Sequence, residues 1–112
     1  MQNITDTLAK IVEFIHLDAD YELSQFTSRY TYEVEALDNG DVKFTATHGQ
    51  VYTYGAVLHE TEDGQVTMVI IRGLNADVAG SPVVLHDRPD LAAHEVLVTV
   101  GVNLPHRWAL SA

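Results

Sequence analysis

Apolar residues recur at Ile4, Leu8, Ile11, Val12 and Ile15, the three- and four-residue spacing of one helix face. Thr5 is placed to accept a hydrogen bond from the first free amides, and Asp6 complements the positive end of the helix dipole. The pattern predicts a helix from Thr5 to Leu17. Asp18-Ala19-Asp20 sets two carboxylates against the negative end of the dipole, so the helix is expected to stop there. Leu23 and Phe26, three apart, allow a short second helix or a turn.

From Tyr30 the period shortens to two. Tyr30, Tyr32, Val34 and Ala36 alternate with Thr31, Glu33 and Glu35, and Val42, Phe44 and Ala46 alternate with Lys43, Thr45 and Thr47. Asp38-Asn39-Gly40-Asp41 between them is a hairpin signal. His48-Gly49-Gln50 is expected as a second turn, Val51–Glu60 as a third strand, Thr61–Gln65 as a third turn and Val66–Gly73 as a fourth strand. Strands three and four are apolar on both faces. Tyr52, Tyr54, Ala56 and Leu58 oppose Val51, Thr53, Gly55 and Val57, while Val66, Met68 and Ile70 oppose Val69 and Ile71. A helix of about thirteen residues shelters one face of such a sheet. The other face needs the C-terminal segment or a second subunit.

Ala79-Gly80-Ser81-Pro82 reads as a loop and Val83-Val84-Leu85 as a short edge strand. Pro89 is expected to open a helical turn that runs through His94. Val96, Val98, Val100 and Val102 then alternate, which predicts a fifth strand ended by Asn103-Leu104-Pro105. The expected fold is α+β: an N-terminal amphipathic helix packed on a curved antiparallel meander sheet of five to six strands, a single domain over residues 1–112.

Charge adds a bias in placement. Residues 1–63 hold twelve of the sixteen carboxylates and three of the six Lys/Arg, a net of −9, against −1 for residues 64–112. A net charge of −10 repels phosphate backbones and anionic membrane surfaces, so neither nucleic acid nor membrane is an expected direct partner. With no cysteine, disulfide and thiol chemistry are excluded. MQNITDTLAKIVEFIH lacks the basic start of a secretory signal, and no apolar run approaches a membrane span, so a cytoplasmic location is expected.

The candidate chemistry is sparse. His86-Asp87 and His94-Glu95 place imidazoles beside carboxylates, as general acid–base work requires, but their spacing fits no metal pattern. His59, Glu60, Glu62 and Asp63 lie within five residues and lack the regular oxygen spacing of a calcium loop. No nucleophile motif or glycine-rich phosphate loop is present, so an enzyme is not the favoured reading and no cofactor or metal is expected. Tyr32, Tyr52 and Tyr54, with Tyr30 beside them and His59 as a polar group, are candidates to line a ligand cavity or an interface. Val57, Val69, Ile71 and Trp108 are the candidate interface residues. Asp18, Asp20, Glu22, Glu33, Glu35, Asp38 and Asp41 form an acidic patch if the helix end meets the first hairpin, and such a patch suits a basic protein partner.

These features favour a small acidic, non-enzymatic binding or assembly protein. It would act as a homo-oligomer, most simply a dimer, through an apolar sheet face. The alternatives are a ligand-binding or enzymatic cone-type domain with a Tyr/His-lined cavity, and an acidic inhibitor that mimics nucleic acid.

Overall fold

The computed structural model describes residues 4–25, 30–48 and 52–111, with side chains other than those of His48, Tyr52 and residues 103–111. Helix α1 spans Asp6–Ser24. Strands β1 (Thr31–Ala36), β2 (Val42–His48), β3 (Tyr52–Glu60) and β4 (Val66–Gly73) follow as an antiparallel meander. The short strands β5 (Asp77–Val78) and β6 (Val83–Val84) both pair with the outer edge of β4. Helix α2, Pro89–Ser111, completes the α+β fold. The sheet does not close into a barrel: β1 ends the order on one side and β5 and β6 end it on the other.

Thr5 caps α1, its hydroxyl accepting the Leu8 amide at 3.2 Å. The expected stop at Asp18-Ala19-Asp20 is overturned. Ile15, Ala19 and Leu23 extend the buried stripe at spacings of four, each fully sheltered. Burial of that stripe outweighs an unfavourable dipole term worth tenths of a kcal/mol to about 1. Leu23, expected in a separate turn, therefore belongs to α1, and Phe26 lies outside the described residues.

The fifth strand is the larger correction. Val96–Val102 is helical, and α2 passes Asn103-Leu104-Pro105 without stopping. Among its described residues Ala92, Ala93, Val96, Leu97, Val100 and Gly101 are buried, a helical repeat rather than an alternation. Val102, which a strand would place with Val96, is exposed. Packing against α1 and the sheet overrides the strand preference of valine, on a scale that spans only about 1 kcal/mol.

Both helices lie on one face of the sheet. The core joins Leu8, Ile11, Ile15, Ala19 and Leu23 of α1 and the buried alanines, valines and leucine of α2 to Val42, Phe44, Ala46, Tyr54, Ala56, Leu58, Val66 and Met68. The C-terminal segment therefore shelters the face that α1 already shelters.

The β1–β2 and β3–β4 hairpins share one design. Leu37 N–H donates to Asp41 O and Gly40 N–H to Leu37 O, and Thr61 N–H donates to Gln65 O and Gly64 N–H to Thr61 O. Each is a three-residue loop whose last residue takes positive φ, 92° at Gly40 and 88° at Gly64. The β4–β5 turn asks the same of an alanine: Ala76 sits at φ 53°. A left-handed alanine is disfavoured by roughly 1 kcal/mol. Ala76→Gly should therefore raise stability slightly, by about 0.5 kcal/mol after the entropy of the new glycine, as a shift in the urea midpoint.

Candidate functional site

Pairing register assigns each strand residue to a face, because residues directly opposite share one. The face away from the helices carries Thr31, Glu33 and Glu35 of β1, and Thr47, Thr45 and Lys43 of β2. It continues with Thr53, Gly55, Val57 and His59 of β3, opposite Gly73, Ile71, Val69 and Thr67 of β4. Val78 stands opposite Ile71, and Val84 opposite Thr67. Among the described residues no helix or strand lies over this face. It divides in two. The β1–β2 half is threonine, glutamate and lysine. The half from β3 to the β5/β6 edge is aliphatic at its centre, with Thr53 at one end and His59 and Thr67 at the other.

Within the aliphatic half exposure varies. Val57 and Val69 are half-buried by their neighbours. Val78 and Val84 are 65 % and 53 % exposed. Ile71 is sheltered outside the main core, opposite a residue with no side chain. That residue, Gly55, is fixed by contact: a Cβ there would lie 2.1 Å from the Phe44 carbonyl oxygen. Of the expected interface residues, Val57, Val69 and Ile71 thus share one face. The Trp108 side chain lies outside the described residues. Val78 and Val84 join the face through β4 pairing; the edge strand expected at Val83-Val84-Leu85 is β6, and only the choice of its partner strand has no local signal.

At one end of the aliphatic strip His59 Nδ1 meets Asp41 Oδ1 at 2.7 Å. The other Asp41 oxygen accepts the Asn39 amide at 3.2 Å, so the pair is tied to the β1–β2 turn. The Thr67 hydroxyl donates to the His59 carbonyl. A solvent-open imidazole–carboxylate pair results, with its nearest hydroxyl turned to the backbone. The residues are eighteen apart in sequence and no spacing rule links them.

The other candidate side chains are dispersed. Tyr54 is core, and Tyr32 packs against Phe44 and His16, with ring centroids 6.0 and 6.2 Å apart, on the helix side. His59 is on the opposite face, so these side chains do not share a cavity. The Tyr52 side chain is outside the described residues. Tyr30 donates to Asp20 Oδ1 at 2.9 Å, and burial together with that carboxylate pushes its phenol pKa upward.

His86 and Glu95 build the start of α2. The His86 amide donates to Glu95 Oε1 at 2.7 Å, and the Arg88 amide donates to His86 Nδ1 at 3.0 Å. An amide can only donate, so this Nδ1 accepts and the ring proton is assigned to Nε2. Asp87 Oδ1 also approaches this nitrogen, at 3.0 Å. Slight burial raises the Asp90 pKa, but the Arg88 hydrogen bond at 2.8 Å and nearby amides outweigh it, so the net shift is downward. His94 turns away from Glu95's contact and meets Glu22 of α1 at 3.2 Å.

His86, Asp87 and Asp63 line a cleft of about 280 Å³ with Thr7, Ile11 and Leu85, where both helices begin. The Thr61 hydroxyl donates to Asp63 and lowers its pKa. Of the loop carboxylates beside His59, Asp63 enters this cleft while His59 faces the other side. Among the described residues no group of three or more metal-ligating side chains is gathered.

The acidic residues occupy three places. Asp18, Asp20 and Glu22 are on the second half of α1, Glu33 and Glu35 are on the uncovered face, and Asp38 and Asp41 are at the β1–β2 turn. No described helix is long and apolar enough to cross a membrane. Compared with known families, curated proteins and solved structures, the chain matches none.

Proposed function

We propose that this chain is a non-enzymatic assembly module of the cytoplasm that forms a reversible homodimer through the uncovered half-face of β3, β4, β5 and β6. The observation that supports this is the segregation of Val57, Val69, Val78 and Val84 from the charged half of the same face. The partner is a second copy because the strip is self-complementary. A two-fold axis along β4 lays valine on valine. It also carries Glu33 and Glu35 of the two copies to opposite rims, so like charges do not meet.

The alternative of pairing two copies by their free β1 edges is disfavoured. Antiparallel pairing about Val34 would set Glu33 of one copy opposite Glu35 of the other, and like charges directly opposite are destabilising. The strip covers roughly 15 by 24 Å from strand spacing and rise, small for a stable interface. The dimer is accordingly weak and reversible, and forms as concentration is raised. Each copy carries −10, so added salt tightens it by screening repulsion. The ligand-binding reading is less supported, since the Tyr32 and Tyr54 side chains lie on the helix side and His59 on the other face.

Val69→Asp tests the reading. It puts a carboxylate on a half-buried sheet position without opening the helix–sheet core. Sedimentation should show a monomer with an unchanged circular dichroism spectrum. A folded Val69→Asp protein that still dimerises as the parent does would rule out this face.

A further inference from the structure

The free edge of β1 offers a second surface. The Leu37 amide donates to Asp41 O, which makes that pair hydrogen-bonded. Antiparallel ladders alternate, so Glu35, Glu33 and Thr31 also direct their backbone groups to β2. The N–H and C=O groups of Tyr32, Val34 and Ala36 then point outward. Among the described residues no strand lies beyond β1. Six residues of edge are presented without proline, the usual device for closing one.

The side chains flanking that edge select what can add to it. Glu33 and Glu35 are exposed on one face, and Lys43 stands opposite Glu35 on the inner side, so among the described residues the only charges at the outer side of that face are these two carboxylates. A shallow hollow of about 260 Å³ beside them is lined by Thr31, Glu33, Thr45 and Thr47. The other face of β1 is held by Tyr32 and Val34 against the helix layer. An incoming strand therefore meets carboxylates on one side and apolar groups on the other.

We propose that β1 is a docking edge for an extended basic segment of a partner protein, which adds as a further antiparallel strand. Its alternate Lys or Arg side chains face Glu33 and Glu35, and its intervening apolar residues continue the helix-side face. Backbone hydrogen bonds to Tyr32, Val34 and Ala36 supply the adhesion, and the carboxylates supply the choice of partner. The same two glutamates that oppose self-pairing along this edge favour a basic strand there.

The test uses the full chain and two short synthetic peptides, one alternating lysine with valine and the other glutamate with valine. Amide resonances of Tyr32, Val34 and Ala36 are followed by NMR at low and raised salt. The lysine peptide should shift those amides, and its affinity should fall as salt rises. The glutamate peptide should bind about tenfold more weakly, and the double variant Glu33→Lys, Glu35→Lys should reverse the order. Ala36→Pro removes one outward N–H at an edge position that tolerates proline, and it should weaken binding while the β1–β2 ladder survives. Unmoved β1 amides, or equal response to both peptides, would overturn the proposal. Sample mass is measured alongside. Dimer formation reports on the β4 face and strengthens with salt, so the two ideas fail separately.

Discussion

Gly55→Ala is expected to destabilise the protein by about 3 kcal/mol, a large fraction of the stability of a domain of this size. The added Cβ would meet the Phe44 carbonyl oxygen at 2.1 Å, the Thr45 Cα at 3.0 Å and the Phe44 carbonyl carbon at 3.1 Å. All three are backbone atoms of the neighbouring strand, so no side-chain rotation relieves the clash. The β2–β3 ladder has to open, and Phe44 beneath it is fully buried. Local preference predicts the opposite sign, since glycine inside a strand is weaker than alanine. Chemical denaturation therefore separates the two accounts by direction. A Gly55→Ala protein as stable as its parent would show that the strands do not approach this closely.

Val96→Asp should cost at least about 3 kcal/mol, while Val102→Asp should cost no more than about 0.5. Val96 is fully buried between α2 and the core, and Val102 is 53 % exposed. In a strand the two positions share a face and their substitutions should act alike. In a helix they lie far apart around the axis. Urea midpoints of the two variants, measured side by side, decide which structure residues 96–102 adopt.

That contrast also explains what the sequence could and could not convey. The four meander strands were legible because one alternating face meets helices and the intervening turns carry their own glycines. β4 was placed to the residue. The valine alternation at 96–102 was compatible with two periods. Only the alanines at 92 and 93, continuous with Val96 and Leu97 on one helical face, distinguish them. The extent of α1 is obscured for a similar reason: the carboxylates near Asp18 oppose the dipole, while the last members of the buried stripe, Ala19 and Leu23, are sparse. Long-range features left no local trace. His59 meets Asp41 only because the β2–β3 register sets Val42 opposite Leu58. Val78 and Val84 reach the uncovered face only through β4 pairing.

Molar mass in solution, followed by sedimentation across a concentration series of the unaltered chain, bears most directly on the valine strip as a meeting surface. Mass should climb from 12.4 kDa toward double that figure as protein is added, and do so sooner at higher ionic strength. A constant 12.4 kDa at every concentration and salt level would mean that water, not a second copy, is the resting neighbour of Val57, Val69, Val78 and Val84.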